Sequence, residues 1–129
     1  MDGLHQSKGI SASGMRSQAE RLRFITENIA NADTPGYRRK YTTFEGVVDR
    51  GRETGRVETG PVELDRSALG RVYDPAHPLA NGDGYYDGSN VSLVVEIADA
   101  REAQRSYEAN LQMFDQARKM RSSLFEILR

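Results

Sequence analysis

Apolar residues recur at alternating steps of three and four at both ends of this chain, and nowhere between. Counted from Leu4, the register reads Leu4, Lys8, Ser11, Met15, Gln18, Leu22, Ile25, Ile29 and Ala32, with six apolar positions of nine. The misses cluster in the first half, so the spacing predicts an amphipathic helix with a narrow seam, best formed from Met15 onward. Counted from Leu93, it reads Leu93, Ile97, Ala100, Gln104, Tyr107, Leu111, Phe114, Arg118, Arg121, Phe125 and Leu128. Eight of these eleven are apolar, and Ala103, Ala117 and Leu124 widen the stripe. At 1.5 Å per residue the second helix reaches roughly 55 Å. A helix that long in so small a protein cannot bury its stripe on its own chain alone. The predicted fold is therefore mainly α: an antiparallel, coiled-coil-like pair of terminal helices, completed by neighbours, around a short β/loop insert.

The helix breakers agree with this division. All four prolines (Pro35, Pro61, Pro75, Pro78) and nine of the twelve glycines fall between Thr34 and Asn90. The expected segments are an N-terminal helix over 1–33, a Gly/Pro-rich insert with short strands over 34–89, and a long C-terminal helix over 90–129. Pro35 disfavours helical geometry at Thr34, and Thr34-Pro35-Gly36-Tyr37 meets the demands of a type II turn. Residues 38–44, 56–64 and 68–73 alternate loosely and predict two or three short strands without a core of their own. The stretches 74–78 and 81–84 predict turns. Asn90 or Ser92 caps the second helix, and Glu96 lies in its first turn. Gly3, Gly9 and Gly14 each cost about 1 kcal/mol relative to Ala in a helix, so the first turns are expected to order only against a partner, leaving an isolated monomer with mobile ends.

Composition narrows the function class. A formal net charge of −1 gives no global field for nucleic acid or an anionic membrane. Lys8, Lys40 and Lys119 are the only lysines among 18 basic residues, an arginine bias that suits planar interface contacts or reflects genomic composition. The absence of cysteine excludes disulfide and thiolate-metal schemes. No apolar run is long enough to span a bilayer, and the first thirty residues lack the apolar stretch of a secretory signal.

Catalytic constellations are thin, and no enzyme, cofactor or metal is expected. His5 and His77 read as solvated or packing residues. The 81–87 stretch lacks the glycine and glutamate spacing of an EF-hand and reads as a turn. Residues 37–41 interleave basic and aromatic side chains, which suits either nucleic acid or a solvated, arginine-rich protein contact. Glu45 and Asp49 follow closely, favouring the second. Asn28, Asn31 and Asn110 stand out on the helices. Each is either an ordinary surface or helix-end residue, or a buried polar group that fixes register between packed helices; for Asn110 the second reading is preferred.

The segment Asn28-Ile29-Ala30-Asn31-Ala32-Asp33-Thr34-Pro35-Gly36-Tyr37 resembles the N-terminal signature of bacterial flagellar axial proteins of the rod and hook. Ala103-Gln104-Arg105-Ser106-Tyr107-Glu108-Ala109-Asn110 is similar to their C-terminal signature. Within that family the short length, and the middle residues Tyr73 to Ala80, Gly84-Tyr85 and Asn90-Val91, resemble proximal-rod proteins. The compact link from Asn31 to Tyr37 fits a second proximal-rod subtype. The resemblance implies a structural subunit of the basal-body rod, spanning the periplasm and transmitting motor torque. It implies export through the flagellar type III apparatus without a cleavable signal peptide. The implied partners are copies of itself, other proximal and distal rod proteins and the adaptor at the rod base. No nucleic acid or direct membrane insertion is implied. The residues expected to carry assembly are Asn28, Ile29, Ala30, Asn31, Thr34, Pro35, Gly36, Tyr37, Gln104, Arg105, Tyr107, Glu108 and Asn110. The expected seam comprises Met15, Leu22, Ile25, Leu93, Ile97, Leu111, Phe114, Leu124 and Leu128. A cytoplasmic coiled-coil adaptor is the alternative from another class.

Overall fold

The computed structural model describes residues 2–129. Two long helices, packed together, flank three small antiparallel sheets. α1 spans Asp2–Ala30 and α2 spans Leu93–Ile127. Between them lie β1 (Lys40–Tyr41), β2 (Phe44–Asp49), β3 (Arg52–Thr59), β4 (Glu63–Leu64), β5 (Arg71–Tyr73) and β6 (Tyr85–Asp87). They pair as β1–β4, β2–β3 and β5–β6. The insert thus holds six strands in three two-stranded ladders, more than the loose alternation predicted.

α1 ends where the sequence places its stop. Asn31 N–H donates back to Glu27 O, and the Tyr37 N–H closes the 34–37 turn onto Thr34 O at 3.2 Å. Gly36 holds φ +75°, the value that a type II turn requires at its third residue. α2 begins at Leu93, with Glu96 N–H donating to Ser92 O. Ser92 therefore occupies the cap position, and Asn90 has other work.

The chain forms two compact units. The first comprises Met1–Leu22, Thr42–Pro61 and Arg101–Arg129. Its hairpin β2–β3 turns through Arg50 (φ 51°) and Gly51 (φ 77°). Positive φ at both central residues makes this a type I′ turn, whose twist matches that of the strands. β3 lies along α1 through hydrogen bonds: Val57 N–H donates to Ser13 Oγ at 3.1 Å, and Thr59 Oγ1 to Glu20 Oε2 at 3.1 Å. The helix pairing in this unit rests on small residues. Ser11, Ala103 and Ala117 are buried, and a Cβ added at Gly14 would sit 2.7 Å from Asn110 Oδ1; the buried Ser13 and Ser17 instead bond to Val57 of β3. Lys8 Nζ lies over the Phe114 ring and Arg21 pairs with Glu102. Residue numbers thus rise along α1 as they fall along α2.

The second unit comprises Arg23–Tyr41 and Val62–Ala100. Its buried residues include Phe24, Ile25, Asn28 and Glu96. Only four hydrophobic residues are buried among those described, Phe24, Ile25, Ala103 and Ala117. Hydrophobic burial within one chain is therefore slight, and polar stitching takes a correspondingly larger share.

Candidate functional site: a buried polar node and an exposed helical stripe

In the second unit, the last turns of α1 and the first of α2 meet the segment that follows the type II turn. Asn28, wholly buried, uses all of its hydrogen-bonding capacity. Its Oδ1 accepts from Tyr37 Oη and from the Lys40 N–H, each at 2.8 Å. Its Nδ2 donates to Lys40 O at 2.9 Å and to Glu96 Oε2 at 3.4 Å. Asn28 thus replaces a strand partner for the Lys40 backbone, which would otherwise be left unpaired beside the helix.

Glu96, also wholly buried, receives Arg39 Nε on its other oxygen at 2.8 Å. The same guanidinium reaches Asp65 at 3.4 Å and Asp99 at 3.8 Å. Burial alone works against the Arg39 charge. The hydrogen bond and charge of Glu96, with those of Asp65, outweigh it and hold its pKa above the ordinary value. Asp65 is held below the usual carboxylate range, first by the Ser67 backbone N–H and side chain and then by Arg39. Burial, reinforced by Glu27, pushes the Tyr37 phenol up. Asn90 extends the network: its Oδ1 accepts from Arg39 N–H at 2.7 Å and its Nδ2 donates to Asp65 O at 2.9 Å. Gly36 N–H donates to Asp87 O and Gly88 O, and Ser89 Oγ to Ala32 O.

The three cations at 38–40 are all engaged internally. Arg38 donates to Asp65 O and Ser67 O, and Lys40 pairs with Glu27 at 2.8 Å. Arg39 and Lys40 are thus paired with carboxylates inside the protein, and Arg38 is held by two backbone carbonyls. His77 Nδ1 accepts from Leu79 N–H while its ring stacks on Tyr86, a packing role. His5 is exposed. In the 81–87 loop, Asn81 Oδ1 caps its own turn by accepting from Asp83 and Tyr85 N–H. Among the described residues no group of three or more His, Cys, Asp or Glu is placed to hold a metal ion. Nor, among the described residues, is any helix long and apolar enough to cross a membrane.

The remaining motif residues divide between the two regions. Asn31 is half-buried, donates to Glu27 O and accepts from Thr34 Oγ1. Ile29, Ala30, Thr34, Pro35 and Gly36 are exposed around it. On α2, Asn110 is half-buried with Nδ2 on Ser106 O and faces Gly14, while Gln104, Arg105, Tyr107 and Glu108 are exposed. Of the expected seam, Ile25 is buried and Met15, Leu22 and Phe114 are half-buried. Leu93, Ile97, Leu111, Leu124 and Leu128 are exposed in the single chain.

The reason lies in which line of α2 meets α1. Glu96, Ala103, Asn110 and Ala117 recur every seven residues and supply the inward line. At 3.6 residues per turn, the Leu93–Ile97–Leu111 stripe lies roughly a quarter turn away. Small side chains permit close approach of the backbones, and the bulky stripe is left outside. Sequence reasoning found the more apolar stripe and missed Arg39, Glu96, Asn90 and the serines as contact residues. The seven-residue recurrence of Glu, Ala, Asn and Ala is the signal that would have found the inward line.

Comparison with known proteins follows the same two regions. Residues 10–38 match the family model "Flagella basal body rod protein", and residues 83–127 match "Flagellar basal body rod FlgEFG protein C-terminal". The chain is similar to the flagellar basal-body rod protein FlgC of Agrobacterium fabrum, 41% identical with 100% of this chain and 98% of the relative covered. It is also similar to FlgC of Borreliella burgdorferi, 34% identical with 98% of each covered. With FlgC of Salmonella typhimurium it shares 32% identity, over 86% of this chain and 87% of the relative.

Proposed function

We propose a mode of assembly on one premise: the chain belongs to the FlgC family of flagellar basal-body rod proteins and is a structural subunit of the basal-body rod, not an enzyme. Within the rod, the subunit occupies the proximal segment and transmits torque from the motor towards the hook. α1 and α2 act as a coiled-coil-like pair whose outer stripe is completed by other subunits. Three functional segments follow: the helix over 1–33, the insert over 34–89 and the helix over 90–129.

The observation that supports this reading is the uneven distribution of exposed apolar side chains. On α1 only Ile29 is a large exposed hydrophobic, whereas on α2 Leu93, Val94, Val95, Ile97, Tyr107, Leu111, Met113, Met120, Leu124, Phe125 and Ile127 all are. Full burial of one such residue is worth about 1.5–3 kcal/mol, so a half-exposed stripe holds a large unrealised gain that a neighbouring subunit can capture. Copies of the chain, other proximal and distal rod proteins and the rod-base adaptor are the partners. Gln104 lies within the stripe, and Arg105 and Glu108 set a polar rim beside it. The motif at 28–37 shapes the end of α1. The chain reaches the periplasm through the flagellar type III export apparatus.

Leu111→Glu tests the mode of assembly. Leu111 is 41% exposed, so the variant should fold with little change in stability, within about 0.5–1 kcal/mol. It should nevertheless be missing from purified basal bodies and fail to restore motility to a strain lacking the protein. Normal incorporation of the variant would overturn the stripe as the assembly surface. Absence of the tagged wild-type protein from basal bodies would overturn the wider reading.

A further inference from the structure

We infer that Asn81 is a site of spontaneous backbone rearrangement, open in the unfolded chain and shut where its loop is folded. Asn81 is the only asparagine in the sequence followed by glycine; Asn28, Asn31, Asn90 and Asn110 precede Ile29, Ala32, Val91 and Leu111. With no Cβ on Gly82, its backbone nitrogen is unshielded and the chain around it turns freely. After losing its proton to hydroxide, that nitrogen attacks Asn81 Cγ and closes a five-membered ring, an intramolecular step favoured by proximity. The Cγ–Nδ2 bond breaks and, with a proton from water, ammonia leaves. Water then opens the succinimide at either carbonyl, giving aspartate or isoaspartate.

In the folded loop, space does not prevent this reaction. Asn81 is exposed, and a Cβ built at Gly82 would meet nothing within 4 Å. Hydrogen bonding is what holds the amide. Asn81 Oδ1 accepts from Asp83 N–H at 2.9 Å and from Tyr85 N–H at 3.1 Å. The backbone is fixed as well: Asn81 N–H donates to Tyr85 O at 2.8 Å, and Asn81 O accepts from Gly84 N–H at 3.1 Å. Turning Cγ onto the Gly82 nitrogen releases both side-chain bonds, a local opening that must precede the chemistry. Two bonds of ordinary strength correspond to a retardation of about thirtyfold. The products differ in what they return to the loop. Aspartate offers Asp83 and Tyr85 N–H the same acceptor, now charged. Isoaspartate inserts a methylene into the backbone and throws residue 81 out of register with Gly84 and Tyr85. A chain that waits unfolded therefore accumulates copies that cannot re-form this turn, whereas a chain built into the rod is spared.

Peptide mass spectrometry tests this on full-length protein held in guanidinium chloride and on purified basal bodies, at the same pH and temperature. In denaturant, Asn81 should convert from amide to acid at least about tenfold faster than the other four asparagines, and Gly82→Ala should remove most of that excess. In basal bodies the conversion should be slower than in denaturant by about thirtyfold or more. Asn81→Asp should restore motility to a strain lacking the protein, because the carboxylate keeps both N–H partners. An Asn81 rate in denaturant no faster than that of the other asparagines would overturn the inference. So would equal rates in denaturant and in basal bodies, or a non-motile Asn81→Asp strain. The denatured arm needs no assembly, and recovery of the chain's peptides from basal bodies separately checks rod membership, so the two readings fail independently.

Discussion

Removing the Asn28 side chain is the sharpest test of how this protein is held together. In Asn28→Ala, the Lys40 N–H and C=O lose partners at 2.8 and 2.9 Å, and Glu96 loses a weaker contact at 3.4 Å. Tyr37 is half-buried, so its hydroxyl can turn towards water. The lasting cost falls on the two backbone groups, at about 1–3 kcal/mol for each that stays dry. The expected loss is about 2–4 kcal/mol, a large fraction of a typical domain's stability of about 5–15 kcal/mol. Asn28→Asp separates charge from shape. It keeps the acceptor for Tyr37 and Lys40 N–H, but sets a carboxylate oxygen against Lys40 O and beside the buried Glu96. At neutral pH it should be worse than alanine. The gap should narrow on acidification, as the introduced Asp carboxylate takes up a proton. Urea unfolding followed by far-UV circular dichroism, with unchanged slope, measures both variants. A loss below about 0.5 kcal/mol for Asn28→Ala, the range of an ordinary surface change, would refute the reasoning. So would an Asp variant as stable as the Ala variant at pH 7.

Three further outcomes follow from the same geometry. Gly14→Ala ought to gain about 1 kcal/mol from helix propensity, but the new Cβ would meet Asn110 at 2.7 Å, so it should be neutral to destabilising by about 1–2 kcal/mol; adding Asn110→Ala should recover the gain in a double-mutant cycle. Gly3→Ala, with nothing within 4 Å, is the control and should stabilise on its own. Because burial raises the folded pKa of Tyr37, its contribution is fully present below the ordinary tyrosine value, about 10, and is lost as pH rises through the folded value. Thermal melts between pH 9 and about 11 should therefore fall less steeply in Tyr37→Phe than in the wild type. Ala103→Leu, at a position with no exposure, should cost about 1–3 kcal/mol by wedging the helices apart, as read by the same melts.

Both helices and the turn at Pro35 could be read directly, because they rest on local chemistry: a 3-4 period, a proline that ends it and a glycine that takes positive φ. The insert was less legible. The hairpin β2–β3 turns at Arg50-Gly51 rather than at an Asn-Gly pair, and its strands Phe44–Asp49 and Arg52–Thr59 overlap only in part with the stretches that alternate. The inward face of α2 was hidden for another reason. Periodicity ranks stripes by apolar content, whereas close packing selected the line of Glu96, Ala103, Asn110 and Ala117. Asn28 stood out as an oddity, but its partners did not. Arg39 read as one cation of a basic run, and Glu96 as a helix-start acid. Their meeting depends on contacts across 57 residues, for which a single sequence offers no local signal.

The node also imposes an order in time. Asn28, Tyr37 and Arg39 lie in the first third of the polypeptide, and Glu96 lies in the last. A chain that emerges amino-terminus first, from a ribosome or from any narrow conduit, holds three of the four pieces while the fourth is still inside. No shorter prefix can complete the structure. The node cannot close until roughly three-quarters of the chain is out.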